Sequence, residues 1–202
     1  CHAVNRGEPK PGEHVLVIGA GPIGLSAIEF AKLSGARTIG MDMDAQRLAF
    51  VREKMGVPDT IRAVGDGTEL PLLGALTAGQ LADVVIDATG SNKSMGQALN
   101  YCAFKGRLVY VGITQAEVSF PHAPALHRRE LDIRASRNAL PADFKRIIRL
   151  LEEGQIDTRR WITHRATFTS MIESFPEWTQ PENWRHSARS RFVSPTDGNT
   201  SS

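Results

Sequence analysis

The sequence predicts an α/β fold: a doubly wound parallel sheet followed by an incomplete piece of a second domain. Three observations predict it. Short apolar, β-branched runs alternate with stretches of helical period through roughly the first two thirds of the chain. A glycine pattern, Gly19-x-Gly21-x-x-Gly24, follows the first such run and opens the first helix. Beyond Arg137 the alternation stops, giving way to a helix–strand–helix tail.

Residues 1–13 read as an approach segment, closed by a Pro-Lys-Pro-Gly turn at 9–12. His14 to Ile18 has the pattern of a strand buried on both faces. Gly19 lets that strand turn sharply, and Gly21 has no Cβ to hold a pyrophosphate off the backbone. Gly24 lets the following helix lie close on the sheet. That helix opens at Pro22–Ile23, runs to Ser34 and ends at Gly35. Its free N–H groups and positive dipole end face the phosphates. A second strand, Thr38 to Met41, ends in Asp42, eighteen residues beyond Gly24. An acid there accepts the adenosine ribose hydroxyls and repels a 2′-phosphate, which favours NAD over NADP. Arg47 nearby softens that preference. Strand, helix and acid in this order support dinucleotide binding over a structural glycine turn.

Ala45 to Met55 reads as a helix capped by Asp44 and stopped by Gly56. Thr60 to Val64 is a weak third strand, and Leu70 to Ala78 a short helix. Asp83 to Ala88 is the fourth strand, ending in Thr89-Gly90, with a helix from about Lys93 to Phe104 after it. Gly106 to Gly112 is the fifth strand and Leu131 to Ala135 the sixth. Right-handed crossovers then place Gly19–Gly24, Asp42, Thr89–Gly90 and Gly112–Ile113 at the carboxyl ends of the strands, where ligands lie. The plainer reading of Thr89-Gly90 and Gly112 is a pair of turns. In the tail, Phe144, Ile147, Ile148 and Leu151 mark one apolar helix face stopped by Gly154. Trp161 to Phe168 reads as a strand, and Ser170-x-x-Glu173 as the capping box of a helix that Pro176 kinks or ends.

Composition excludes several function classes. A formal charge of +2 gives no whole-chain case for nucleic acid, and the three arginines at 185, 189 and 191 lack interleaved aromatics. No apolar run approaches the ~20 residues of a membrane helix, and no signal-peptide pattern opens the chain, so the expected compartment is the cytoplasm. A start at Cys1 looks like a piece of a longer chain. Cys1 and Cys102 make no disulfide framework, and Cys102 reads as a small buried hydrophobe. His122 and His127 lie five apart across a proline-rich loop, a spacing that does not suggest a metal pair. No Ser/His/Asp or G-x-S-x-G arrangement stands out. This chain therefore offers no catalytic residue and no metal ligand. Residues 183–202 are expected to be disordered, because Ser194 to Ser202 is polar and turn-rich. An unpaired strand edge in the tail would promote association, giving a homo-oligomer.

The order of motifs resembles the medium-chain, zinc-dependent alcohol dehydrogenase superfamily, in its sorbitol- and threonine-dehydrogenase-like branch. The resemblance rests on His2-Ala-Val, on Pro11 to Gly24, and on Phe30-Ala-Lys-x-x-Gly35-Ala. It continues through Asp42-x-Asp44-x-x-Arg47-Leu, Ala82 to Gly90, Gly106-Arg-Leu-Val-x-Val-Gly112 and Ile162-Thr-His-Arg165 with Phe168. It implies a Rossmann sheet over 1–138 and, over 139–182, the return of the chain into an otherwise missing catalytic domain. It implies alcohol–ketone interconversion on a small alcohol or polyol, with NAD as hydride carrier and a zinc ion polarising the alcohol oxygen. Gly19, Gly21, Pro22, Ile23, Gly24 and Asp42 match the family's pyrophosphate and ribose positions. Thr89 and Gly90 match its groove wall, and Gly112 and Ile113 its nicotinamide side. Ser136 and Arg137 fall near its carboxamide and phosphate contacts. The family's zinc ligands and its four-cysteine lobe have no counterpart here, so zinc is expected only in a full-length parent. A non-catalytic NAD-binding module acting through a protein partner is the alternative; an S-adenosylmethionine enzyme on a similar sheet fits Asp42 and the glycines less well.

Overall fold

The computed structural model describes residues 1–160, 162 and 165–178. They fall into two compact units, Cys1–Thr158 and a second beginning at Arg159. The first is built on six parallel strands: β1 (His14–Ile18), β2 (Arg37–Asp42), β3 (Thr60–Arg62), β4 (Ala82–Asp87), β5 (Cys102–Tyr110) and β6 (Asp132–Ala135). Their spatial order is β3-β2-β1-β4-β5-β6. Ile18 at the end of β1 is level with Met41 on one side and Asp87 on the other. The strand order reverses between β1 and β4, so a crevice opens at the carboxyl end of β1.

β1 sits there because every one of its apolar side chains finds cover. Leu16 and Ile18 join Ile39, Met41, Ile61, Leu73, Val85, Leu99 and Leu108 in one buried cluster. Val15 and Val17 alternate to the other face and are as deeply buried. On that face α2 (Pro22–Leu33) lays down Leu25, Ile28 and Ala31 and stops where Gly35 turns left-handed at φ +77°. α3 (Ala45–Glu53) starts on the Asp44 carboxylate, which accepts the Gln46 N–H at 2.7 Å. It rests on β2 at Gly40, where a Cβ would stand 3.1 Å from Val51 Cγ1.

The doubly wound sheet is as expected, and the differences have identifiable causes. Residues 1–13 are not only an approach. They hold a short helix, α1 (His2–Gly7), too brief to show a period in the sequence. Gly7 lets α1 settle on the sheet, since a Cβ there would lie 2.8 Å from Val84 Cγ1. β3 stops at Arg62, short of Val64: the Ala63 N–H still reaches the Asp42 carbonyl, but the carboxylate of Glu69, at the start of α4 (Glu69–Leu76), accepts the N–H groups of Val64 and Gly65 at 2.8 and 2.6 Å. The helix expected to reach Phe104 ends early: α5 (Asn92–Gln97) passes into a 3-10 turn over Ala98–Tyr101, and β5 begins at Cys102. The Arg129 guanidinium, distant in sequence, donates to the carbonyls of Asn100 and Cys102 at 2.9 and 3.1 Å and takes the place of helical donors. His122–His127 is a π-helical turn rather than an open loop, so residues five apart share a face and the two imidazole rings stand 5.9 Å apart.

α6 (Pro141–Glu152) belongs to the first unit. Asp143, only 4% exposed, ties it to α1: the carboxylate accepts from Asn5 Nδ2 at 2.7 Å and meets His2 Nδ1 at 2.9 Å. The face expected to be apolar is only partly covered, with Phe144 and Ile148 more than half exposed. In the second unit, α7 (Met171–Trp178) runs through Pro176. Of the strand expected over 161–168, Ile162 and residues 165–168 carry none, and 161, 163 and 164 lie outside the described residues. So does the tail at 183–202.

Candidate functional site

The three glycines after β1 do three different things. Gly19 takes φ +95°, and its N–H donates to the Met41 carbonyl at 2.7 Å, so the chain turns while still held to β2. Gly24 is the packing glycine: a Cβ there would lie 2.8 Å from the Gly19 carbonyl carbon and closer still to its oxygen. Gly21 has extended dihedrals that any residue adopts, and a Cβ there would meet nothing within 4 Å. Its missing side chain leaves room for something outside the protein. Gly21 also caps α2, which has no side-chain cap and begins with Pro22. The exposed Ile23 follows. Orphan N–H groups and the positive end of a twelve-residue helix therefore face an open cradle.

Asp42, at the end of β2, closes one side. It is 8% exposed, and its carboxylate accepts the N–H groups of Ala20 at 2.6 Å and Asp44 at 2.8 Å. A carboxylate offers about four acceptor directions, so each oxygen keeps one for a ligand hydroxyl. Arg47, expected to soften the preference against a 2′-phosphate, stands with Nη1 3.7 Å from Asp42 Oδ2 and offsets part of its charge.

The other side is organised by a residue that sequence reasoning passed over. Asp87, the last residue of β4, is completely buried. Its Oδ1 accepts from the Thr89 N–H at 2.9 Å and the Thr89 hydroxyl at 2.7 Å, and its Oδ2 from the Ser94 hydroxyl at 2.7 Å. Its carbonyl accepts the N–H groups of Val111 and Gly112. The Thr89 oxygen in turn accepts the Ser91 N–H at 3.1 Å. In the sequence Asp87 reads as the end of an apolar run; the available signal was Asp-x-Thr-Gly-Ser, the polar composition of an Asx turn. Gly90, at φ +69°, and Gly112 are pressed together, a Cβ on Gly112 falling 2.8 Å from Gly90 Cα. Ile113 beyond them is 85% exposed. Tyr110 backs this wall, its hydroxyl donating to the Met95 carbonyl at 2.6 Å; burial and the nearby Asp87 push that hydroxyl up to about 12, so it stays a neutral donor.

The structure thus gathers Gly19, Gly21, Pro22, Ile23, Gly24, Asp42, Arg47, Thr89, Gly90, Gly112 and Ile113 at the carboxyl ends of four neighbouring strands. Ser136 and Arg137 follow β6 at the sheet edge, Ser136 held by its N–H to the Tyr110 carbonyl at 2.9 Å. A dinucleotide fits this arrangement, which offers an uncapped helix terminus at Gly21 suited to phosphates and carboxylate acceptor directions at Asp42 suited to hydroxyls. Zinc does not fit. Among the described residues no group of three or more His, Cys, Asp or Glu converges to hold a metal. Nor is any helix among them long and apolar enough to cross a membrane.

The sequence profile of the zinc-binding dehydrogenases matches residues 22–153. L-galactonate-5-dehydrogenase of Escherichia coli (strain K12) is 38% identical over 175 residues, 87% of this chain and 51% of that protein. L-idonate 5-dehydrogenase of Vitis vinifera is 36% identical over 177 residues, 83% of this chain and 46% of that one. The chain spans about half the length of these curated relatives. Among solved structures, an alcohol dehydrogenase of Escherichia coli CFT073 complexed with NADH superposes with a TM-score of 0.78 at 25% identity, over 88% of this chain and 51% of that one.

Proposed function

We propose, for a chain that belongs to the zinc-binding dehydrogenase family, that it is the NAD-binding portion of a dehydrogenase of small alcohols, polyols or sugar acids. The observation that carries this reading is the open cradle at Gly21, set over an uncapped helix terminus and beside the carboxylate of Asp42. Bound NAD supplies the hydride acceptor for a secondary alcohol. This chain's part is to hold it. The α2 terminus binds the pyrophosphate between Gly19 and Gly24, Asp42 takes the adenosine ribose and, with Arg47 alongside, disfavours a 2′-phosphate. Thr89, Gly90, Gly112 and Ile113 wall the nicotinamide half, and Ser136 and Arg137 contact its outer edge.

In the same reading residues 1–138 are the nucleotide domain, 139–182 return toward a catalytic domain outside this chain, and 183–202 are a disordered tail. That other domain supplies the zinc ligands. The names of the sugar-acid dehydrogenases above support the substrate class. The parent is placed in the cytoplasm as a homo-oligomer. One observation favours the alternative of a non-catalytic module: Phe144 and Ile148 offer a partner an exposed apolar surface on α6. Calorimetric titration of the chain with NADH and NADPH tests the cofactor claim, with NADH expected to bind much the more tightly. Equal affinities refute it. Loading the full-length parent with zinc and assaying NAD reduction on hexonates and pentitols separates enzyme from module, since a module reduces none.

A further inference from the structure

Thr89 has one hydroxyl proton, and the structure shows where it goes. Among the described residues the hydroxyl lies 2.7 Å from the Asp87 carboxylate, which can only accept, so Thr89 is the donor in that bond. One Thr89 lone pair then accepts the Ser91 N–H. The other remains, and the hydroxyl has no second proton to give. We infer that Asp87 is a positioning residue that fixes Thr89 Oγ1 as a hydrogen-bond acceptor toward the groove, selecting a ligand hydroxyl at that point. This rests on the reading of the groove as a dinucleotide site.

The placement says which hydroxyl. Thr89 borders the first glycine, since a Cβ on Gly19 would lie 3.2 Å from Thr89 Cγ2. It lies just beyond the end of β4, across β1 from Asp42 at the end of β2. The ligand half that reaches it lies beyond the pyrophosphate from the adenosine, where the hydroxyls of the second ribose are the donors nearest the pyrophosphate; the carboxamide NH2 lies further out, and ADP-ribose, which lacks it, tells the two apart. Asp87 is suited to impose this polarity because it is fully buried and its other oxygen is engaged by Ser94 Oγ at 2.7 Å. Neither group is free to turn.

The test compares NADH, ADP-ribose and ADP on the 202-residue chain by calorimetry and NADH fluorescence. Thr89→Val keeps the shape and removes the acceptor. Asp87→Ala removes the carboxylate that takes the hydroxyl proton and so frees the hydroxyl to turn. Each is expected to weaken NADH and ADP-ribose about tenfold, the worth of one such hydrogen bond, and to leave ADP within twofold. Thr89→Ser retains wild-type affinity. The double variant is expected to lose little more than either single one, because a hydroxyl no longer held as an acceptor has little left to remove. Independent, additive losses overturn the inference, as does equal weakening of ADP, which would mean a general disturbance of the turn. Should Asp87→Ala fail to fold by circular dichroism, loss of affinity in Thr89→Val with retention in Thr89→Ser still decides. Failure of the wild-type chain to bind any of the three ligands overturns the dinucleotide reading, and the inference with it.

Discussion

Gly21→Ala and Gly24→Ala, made separately, divide ligand binding from folding within one loop. At Gly21 the backbone is extended and a Cβ meets nothing within 4 Å, so folding is not opposed. Stability should hold or rise by about 0.4–1 kcal/mol, through the stiffer unfolded chain. At Gly24 the new methyl falls 2.8 Å from the Gly19 carbonyl carbon and closer to its oxygen. Those are backbone atoms that cannot rotate aside, so α2 must lift from β1. Overpacking of that kind costs about 3 kcal/mol or more, a fall in Tm of roughly 6–12 °C for a chain of this size. Binding should follow the opposite order. The Gly21 methyl occupies the phosphate space, and losing a charge-assisted hydrogen bond is worth about 1.5–3 kcal/mol, roughly 10–150-fold in NADH affinity. Thermal unfolding and NADH titration of both variants check this. If Gly21→Ala binds NADH like the wild type, or Gly24→Ala melts with it, the division of labour assigned to the glycines is wrong.

Three further outcomes are expected. Asp42→Asn should narrow the preference for NADH over NADPH by about tenfold or more, because an uncharged amide no longer repels a 2′-phosphate beside Arg47; competition calorimetry reads the ratio. Glu69 is held below the usual carboxylate range chiefly by the Gly65 N–H, against the opposing effect of burial, with the Val64 N–H adding to it. A folded-state value below the unfolded one means that its stabilisation is whole above about pH 4.5 and is lost as pH falls below that, so Glu69→Gln should flatten stability between pH 5 and pH 3 in urea melts. Burial pushes the Cys102 thiol up to about 12, so iodoacetamide at pH 8 should label Cys1 in the native chain and Cys102 only after unfolding, which mass spectrometry reads directly.

The fold was legible because its strands are short, apolar and bounded by glycines or acids. Val15 to Ile18 reads as a strand buried on both faces and is buried on both faces. Elements whose cause lies far away in the chain were not legible. Nothing local to Cys102 or Phe104 announces a strand; the Arg129 guanidinium, 27 residues on from Cys102, satisfies the carbonyls that end the helical path. α1 is fixed by Asp143, 138 residues beyond Asn5, and so leaves no period of its own. The π turn at His122–His127 escaped for a different reason: a five-residue spacing is informative only in a helix wider than the one sequence patterns assume.

The site divides along the same line. The half proposed for the adenosine and phosphates is written in local residues, Gly19 to Gly24 and then Asp42, because a backbone cradle and a strand-end acid each need only their own segment. The opposite wall is made by contacts between segments. Gly90 and Gly112 matter through their mutual approach, and Asp87 through three donors and two strand-end N–H groups that converge on it. A buried carboxylate without a cation persists only when such donors satisfy it. Its placement at the end of β4, with Thr89 hanging from it, means that the stability of that turn and the polarity offered to a ligand are set by the same hydrogen bonds. Substitutions at Asp87 should therefore move folding and binding together, and Thr89→Val, which removes one of the carboxylate's donors, should do so to a smaller degree.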